Sequence, residues 1–164
     1  MIFWCKSCLN MSTRPRIEFD KEGNCNACQW KKEKETLDWN IRRNQLNEIL
    51  KRFNNNKSFG CVVPVSGGKD GSYIAYTLKN EFKVKPICIT VNPHLATDLG
   101  QKNLKNFAKS GFDLIEVNPH YETLRKLNLI GFRELGFPYY GWLIAIQTAV
   151  IRLSVSMNIP LIFY

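Results

Sequence analysis

Residues 60–72 read GCVVPVSGGKDGS, a short apolar run that stops abruptly in a loop of serines, glycines, one lysine and one aspartate. Cys61, Val62, Val63 and Val65 are small and mostly β-branched, which suits a parallel strand covered on both faces. Ser66, Gly67 and Gly68 then remove side-chain bulk where backbone N–H groups can approach an anion. A helix expected to begin near Ser72 points its positive end at the same spot. The stretch therefore reads as a buried strand feeding a phosphate loop. Two widespread loops of that kind are excluded by spacing, because neither G-x-x-x-x-G-K-[ST] nor G-x-G-x-x-G can be laid over S-G-G-K-D-G-S.

The loop resembles the SGGxDS signature of the PP-loop ATP pyrophosphatases, with one extra glycine, Gly71, ahead of Ser72. The resemblance implies cleavage of ATP between its α and β phosphates, transfer of AMP to a carbonyl-type oxygen and release of pyrophosphate. In those terms the backbone amides of Gly67, Gly68 and Gly71, with the hydroxyls of Ser66 and Ser72, hold the departing pyrophosphate. Lys69 offsets its charge, and Asp70 holds Mg²⁺ or orients a hydroxyl, which makes these two the catalytic candidates.

The chain has 164 residues, 45% of them apolar and 12% aromatic, enough for one ordinary domain with a small appendage. Its longest apolar run, around residues 142–151, is short and contains Gln147, and no charged segment leads into an apolar one at the start. A cytoplasmic protein with no membrane association is the expectation. The net charge of +9 invites a nucleic-acid reading. The excess is spread evenly over both halves of the sequence, however, which disfavours that reading and suits an anionic small substrate as well.

Cys5 and Cys8 form one C-x2-C pair and Cys25 and Cys28 another, with 16 residues between the pairs, inside the spacing of a zinc site. Pro15 and the turn-like residues 20–24 allow the chain to fold back and bring the pairs together. An unexported chain keeps its thiols reduced, so a structural Zn²⁺ is expected rather than disulfides, in a ribbon over residues 1–30. Residues 31–59 read as a connecting amphipathic helix, apolar at Leu37, Ile41, Leu46, Ile49, Leu50 and Phe53, that ends at Asn54, Asn55 and Asn56.

From residue 60 strands and helices alternate. Helices are expected over residues 72–81, 97–110, 121–130 and 142–157, with strands over 86–91 and 112–117 and a fourth opening at 159–164. This pattern predicts an α/β fold with a doubly wound parallel sheet, whose ligands sit at the carboxyl ends of the strands, where Ser66, Asn92 and Asn118 fall. The core-strand pattern of residues 160–164 has no turn or polar tail after it. Residues 60–164 therefore read as a partial PP-loop ATP-binding domain, incomplete at its C-terminus, and the chain as a fragment of a longer protein.

Along its whole length the sequence resembles the N-acetyl sugar amidotransferases of lipopolysaccharide O-antigen and pseudaminic acid biosynthesis, a branch of the PP-loop superfamily. The resemblance rests on CKSCL (5–9), TRPRIEFDKEGNCNAC (13–28), PVSGGKDGSY (64–73), NLKNFAKSGFDLIEVNP (103–119), KLNLIGFRELGFPYYGWLIAIQTAVIRLSV (126–155) and IPLIFY (159–164). It implies conversion of an acetamido group on a nucleotide-linked or activated sugar into an acetamidino group. An amide oxygen leaves poorly, so ATP converts it into an adenylate and ammonia then displaces AMP. Cys61 and Cys88 sit inside strands and offer no glutaminase nucleophile, so ammonia is expected from a separate glutaminase subunit. His94 and His120 follow strand ends, and Tyr139, Tyr140 and Trp142 read either as a sugar platform or as packing. The rivals are a thiolase-like tRNA-modifying PP-loop enzyme and a truncated nucleotide-binding module without catalysis.

Overall fold

The computed structural model describes residues 1–53 and 58–164, so the helix end expected at Asn54, Asn55 and Asn56 lies outside the described residues. The chain divides into two compact units, Met1–Gln45 and Leu46–Tyr164.

In the first unit, isolated antiparallel bridges pair Trp4 with Met11 and Phe19 with Cys25. The turn between the latter is closed by Asp20, whose Oδ1 accepts from the Asn24 amide at 2.8 Å. Helix α1 (Asn26–Thr36) follows directly on Cys25. The single connecting helix expected from the sequence is in fact two, because α2 runs Trp39–Phe53 after a break at Leu37 and Asp38. The Asp38 Oδ1 accepts from the amides of Asn40 (2.9 Å) and Ile41 (3.1 Å), which caps the new helix. Asp38→Ala should lower stability by about 1 kcal/mol in denaturant titration.

The second unit is built on three parallel strands in the order β1 (Cys61–Pro64), β2 (Pro86–Val91), β3 (Asp113–Val117). Cys61 lies beside Pro86, and Ile87 beside Asp113. Helices α3 (Lys69–Asn80) and α4 (Asp98–Lys109) make the two crossovers. After β3 come α5 (Tyr121–Leu135) and α6 (Tyr140–Ser156).

Alternation along the strands sends side chains to opposite faces. Cys61, Val63 and Cys88 pack with Ala75 and Leu78 of α3, Phe107 of α4 and Leu50 of α2. Val62, Ile87 and Ile89 pack with Val150 of α6 and Ile159. Helices thus cover both faces of the sheet, the doubly wound arrangement that the sequence predicts.

The expected fourth strand is only partly formed. Ile162 makes a parallel bridge with Val62, and two backbone bonds, Val62 N to Leu161 O (2.8 Å) and Phe163 N to Val62 O (2.9 Å), hold it there. Leu161 and Phe163 still face one core and Ile162 the other, as a buried strand would. The segment meets only the middle of the short β1, too few bonds for a ladder. It nevertheless lies on the side of β1 away from β2, so the order of connection reverses at β1. A crevice opens at such a reversal, outside the carboxyl ends of the strands.

Candidate nucleotide loop and cysteine cluster

The loop leaves β1 at that crevice. Val65 is still buried and its amide donates to Ile89 O (2.9 Å), which ties the last strand-like residue to β2. Ser66 and Gly68 are exposed. Among the described residues, the amides of Ser66, Gly67 and Gly68 donate to no protein acceptor.

Helix α3 begins at Lys69, three residues earlier than the sequence suggested. Lys69, Asp70 and Gly71 therefore form its first turn, where amides have no intrahelical acceptor. No side chain caps this end. The Ser72 hydroxyl donates back to Gly68 O at 2.7 Å. Six successive amides, from Ser66 to Gly71, thus bracket one exposed turn at the positive end of a helix, a geometry suited to an anion.

Two glycines hold this shape by necessity. Gly67 has φ +76°, and a Cβ there would lie 2.9 Å from the Leu104 amide nitrogen on α4. A Cβ on Gly71 would lie 2.7 Å from Pro64 O, so the glycine that departs from the SGGxDS signature lets the first turn of α3 press against the end of β1. Lys69 and Asp70 contact each other at 3.3 Å with both side chains almost fully exposed, a pair of little stabilising value. Both are free to swing toward a ligand.

Cavities open along the carboxyl ends of the strands. One of about 230 Å³ runs from Ser66 past Thr90, Asn92 and Thr97 to Trp142. A second, of about 360 Å³, includes Asn92, Lys105, Glu116 and Asn118. There the Asn92 amide group donates to Asn118 Oδ1 (2.9 Å) and Glu116 Oε2 (3.1 Å). A third, of about 320 Å³, lies around Tyr121, Tyr139 and Trp142. The Trp142 indole N–H donates to Val91 O at 3.1 Å, which fixes the ring at the end of β2. His120 Nδ1 accepts from the Thr123 amide at 3.4 Å and caps α5.

In the first unit the sulfurs of Cys5, Cys8, Cys25 and Cys28 all lie within 4.8 Å of one another. Cys5 and Cys28 are 3.8 Å apart, and Cys8 and Cys25 3.5 Å, too far for disulfides. Four sulfurs at about 2.3 Å from a tetrahedral metal stand about 3.8 Å from each other, so the donor set fits an ion such as zinc. Burial pushes the Cys5 thiol up, but the backbone amides of Cys25, Cys8 and Ser7 outweigh it and bring it down to about 6. The Cys28 amide lowers Cys25. The Cys8 sulfur and burial together push Cys28 up to about 12. Amide donors aimed at sulfur are the outer support that a thiolate cluster requires.

Cys61 and Cys88 are fully buried free thiols, both pushed up to about 12, chiefly by desolvation. They serve as core. With a thiol reagent at mildly alkaline pH, the chelated chain, its first unit unfolded, should react at Cys5, Cys8, Cys25 and Cys28, and at Cys61 and Cys88 only after denaturant opens the sheet.

Compared with known proteins, the chain matches no family model and no curated protein. No described helix is long and apolar enough to cross a membrane.

Proposed function

We propose that the chain carries the nucleotide-binding site of an ATP-dependent amidotransferase that forms AMP and pyrophosphate. The observation that carries this reading is the row of unpartnered amides from Ser66 to Gly68, continued by the first turn of α3, exposed at the carboxyl end of β1. These donors would receive the β and γ phosphates of ATP, with the Lys69 ammonium beside them and the Ser66 and Ser72 hydroxyls at the rim. Asp70 is the carboxylate at which Mg²⁺ would attach, supplying charge to offset the phosphates. The cavity leading from Ser66 to Trp142 gives the nucleoside a place beside the loop.

The acceptor in this reading is the acetamido oxygen of a nucleotide-linked or otherwise activated N-acetyl sugar, adenylated and then displaced by ammonia from a partner glutaminase. The resemblance described above supplies that substrate. The burial of Cys61 and Cys88 agrees with it, because neither thiol is placed to release ammonia from glutamine or to carry sulfur for tRNA thiolation. Zinc, held by Cys5, Cys8, Cys25 and Cys28, would shape the first unit and take no part in the chemistry.

Pyrophosphate release from Mg-ATP tests the reading. The protein, supplied with ammonium, should release pyrophosphate with an acetamido-sugar nucleotide and stay silent with bulk tRNA. Release that depends on tRNA would favour the thiolase-like rival, and no ATP binding at all would contradict the nucleotide loop.

A further inference from the structure

The 320 Å³ cavity is not the nucleotide cavity, although Pro93, Leu95 and Trp142 belong to the walls of both. Two aromatic pairs stand in it. His94 packs on Tyr121 with ring centroids 4.4 Å apart and planes tilted by 33°, and Tyr139 meets Trp142 at 6.3 Å with planes inclined by 65°. The Trp142 N–H is already committed to Val91 O, so that ring offers the cavity its carbon surface and no donor. Polar groups come from Arg125 and Asn128 of α5. Arg125 gives one contact to Glu122 at 3.4 Å and keeps other guanidinium N–H groups for a ligand. Asn128 uses its Oδ1 to accept from the Trp142 amide at 3.2 Å, which leaves its NH₂ as a donor. His94 Nε2 is buried without a hydrogen-bond partner, the kind of orphaned acceptor or donor that a hydroxyl satisfies.

Aromatic carbon surface flanked by hydrogen-bond donors suits a pyranose, whose C–H faces pack on Tyr139 and Trp142 while its hydroxyls reach the donors at the edge. We infer that this cavity is a pyranose subsite, in which Tyr139 and Trp142 pack on the sugar ring while Arg125 and Asn128 donate to its hydroxyl or N-acetyl oxygens. The inference rests on the proposed function in taking the sugar as the adenylation acceptor. The shared wall then places that sugar next to the nucleotide.

Saturation-transfer NMR and calorimetric titration of the full chain test it, with UDP-N-acetylglucosamine, methyl N-acetylglucosaminide, UDP and Mg-ATP as separate probes. Tyr139 and Arg125 are exposed and line the sugar cavity but not the nucleotide cavity, so Tyr139→Ala and Arg125→Ala should leave the fold and Mg-ATP affinity intact. Each should weaken the two N-acetylglucosamine probes by about tenfold. Unchanged sugar binding in both variants, no sugar binding to the native chain, or UDP alone binding as well as the sugar nucleotide would overturn the subsite. Sugar binding that depends on Tyr139, in a chain that ignores Mg-ATP, would support the subsite and sink the nucleotide loop instead.

Discussion

Stripping the metal from the cysteine cluster is expected to unfold Met1–Gln45 and to leave the sheet of Leu46–Tyr164 standing. Among the residues of the first unit, only Cys5 and Cys25 are buried, while Phe3, Trp4, Trp30 and Trp39 stay exposed. A unit of this size without an apolar interior cannot offset the entropy of ordering its chain. Metal ligation by the four cysteines would replace the core, since structural zinc in small finger-like units contributes on the order of 10–16 kcal/mol. The second unit holds its own double-sided core and has no such dependence. A chelator should therefore erase the amide NMR dispersion of residues 1–45 and spare that of the strands, and Cys25→Ser should do the same without chelator. Retention of a folded first unit at low free metal would show that the four sulfurs do not hold it together.

Gly67→Ala should be the most damaging single change in the loop. The substitution must accept a left-handed φ and push against the backbone of α4, a combined cost of about 2–4 kcal/mol. Because the glycine sits in the row of amides, relief of that clash would also turn the donors away from a common focus. ATP affinity should fall by at least about tenfold, together with thermal stability. Gly68→Ala is the matched control. Its φ is −81° and its added Cβ would meet only the Ser66 hydroxyl, at 3.3 Å, so stability should change little. Equal destabilisation by the two changes would mean that the loop is not pinned between β1 and α4.

Much of this architecture is legible in the residues. The apolar run PICITV forms β2 with the expected bounds, and the C-x2-C spacing brings four sulfurs together. Thr97 caps α4, its hydroxyl accepting from the Gly100 amide at 3.1 Å. The start of α3 was hidden, because Lys69, Asp70 and Gly71 carry the composition of a loop, and a glycine in a first turn argues against helix until its contact with Pro64 is known. The break before α2 had a signal in Asp38, a capping residue, but it lay inside an unbroken charged helical pattern. Of the aromatic cavity the sequence offers only the cluster at Tyr139, Tyr140 and Trp142, and not the His94, Tyr121 and Arg125 that join Tyr139 and Trp142 in its wall. The cavity exists because α6 returns beneath β2 and carries Trp142 to Val91, a contact across 51 residues.

Phosphate bound to this chain should be gripped by the amides that follow β1. Amide-resolved NMR titration with Mg-ATP tests it most directly. The largest shifts should fall at Ser66, Gly67, Gly68 and Lys69 and saturate together. Saturable ATP binding that leaves those four amides unmoved, or no binding at millimolar ATP, would contradict it.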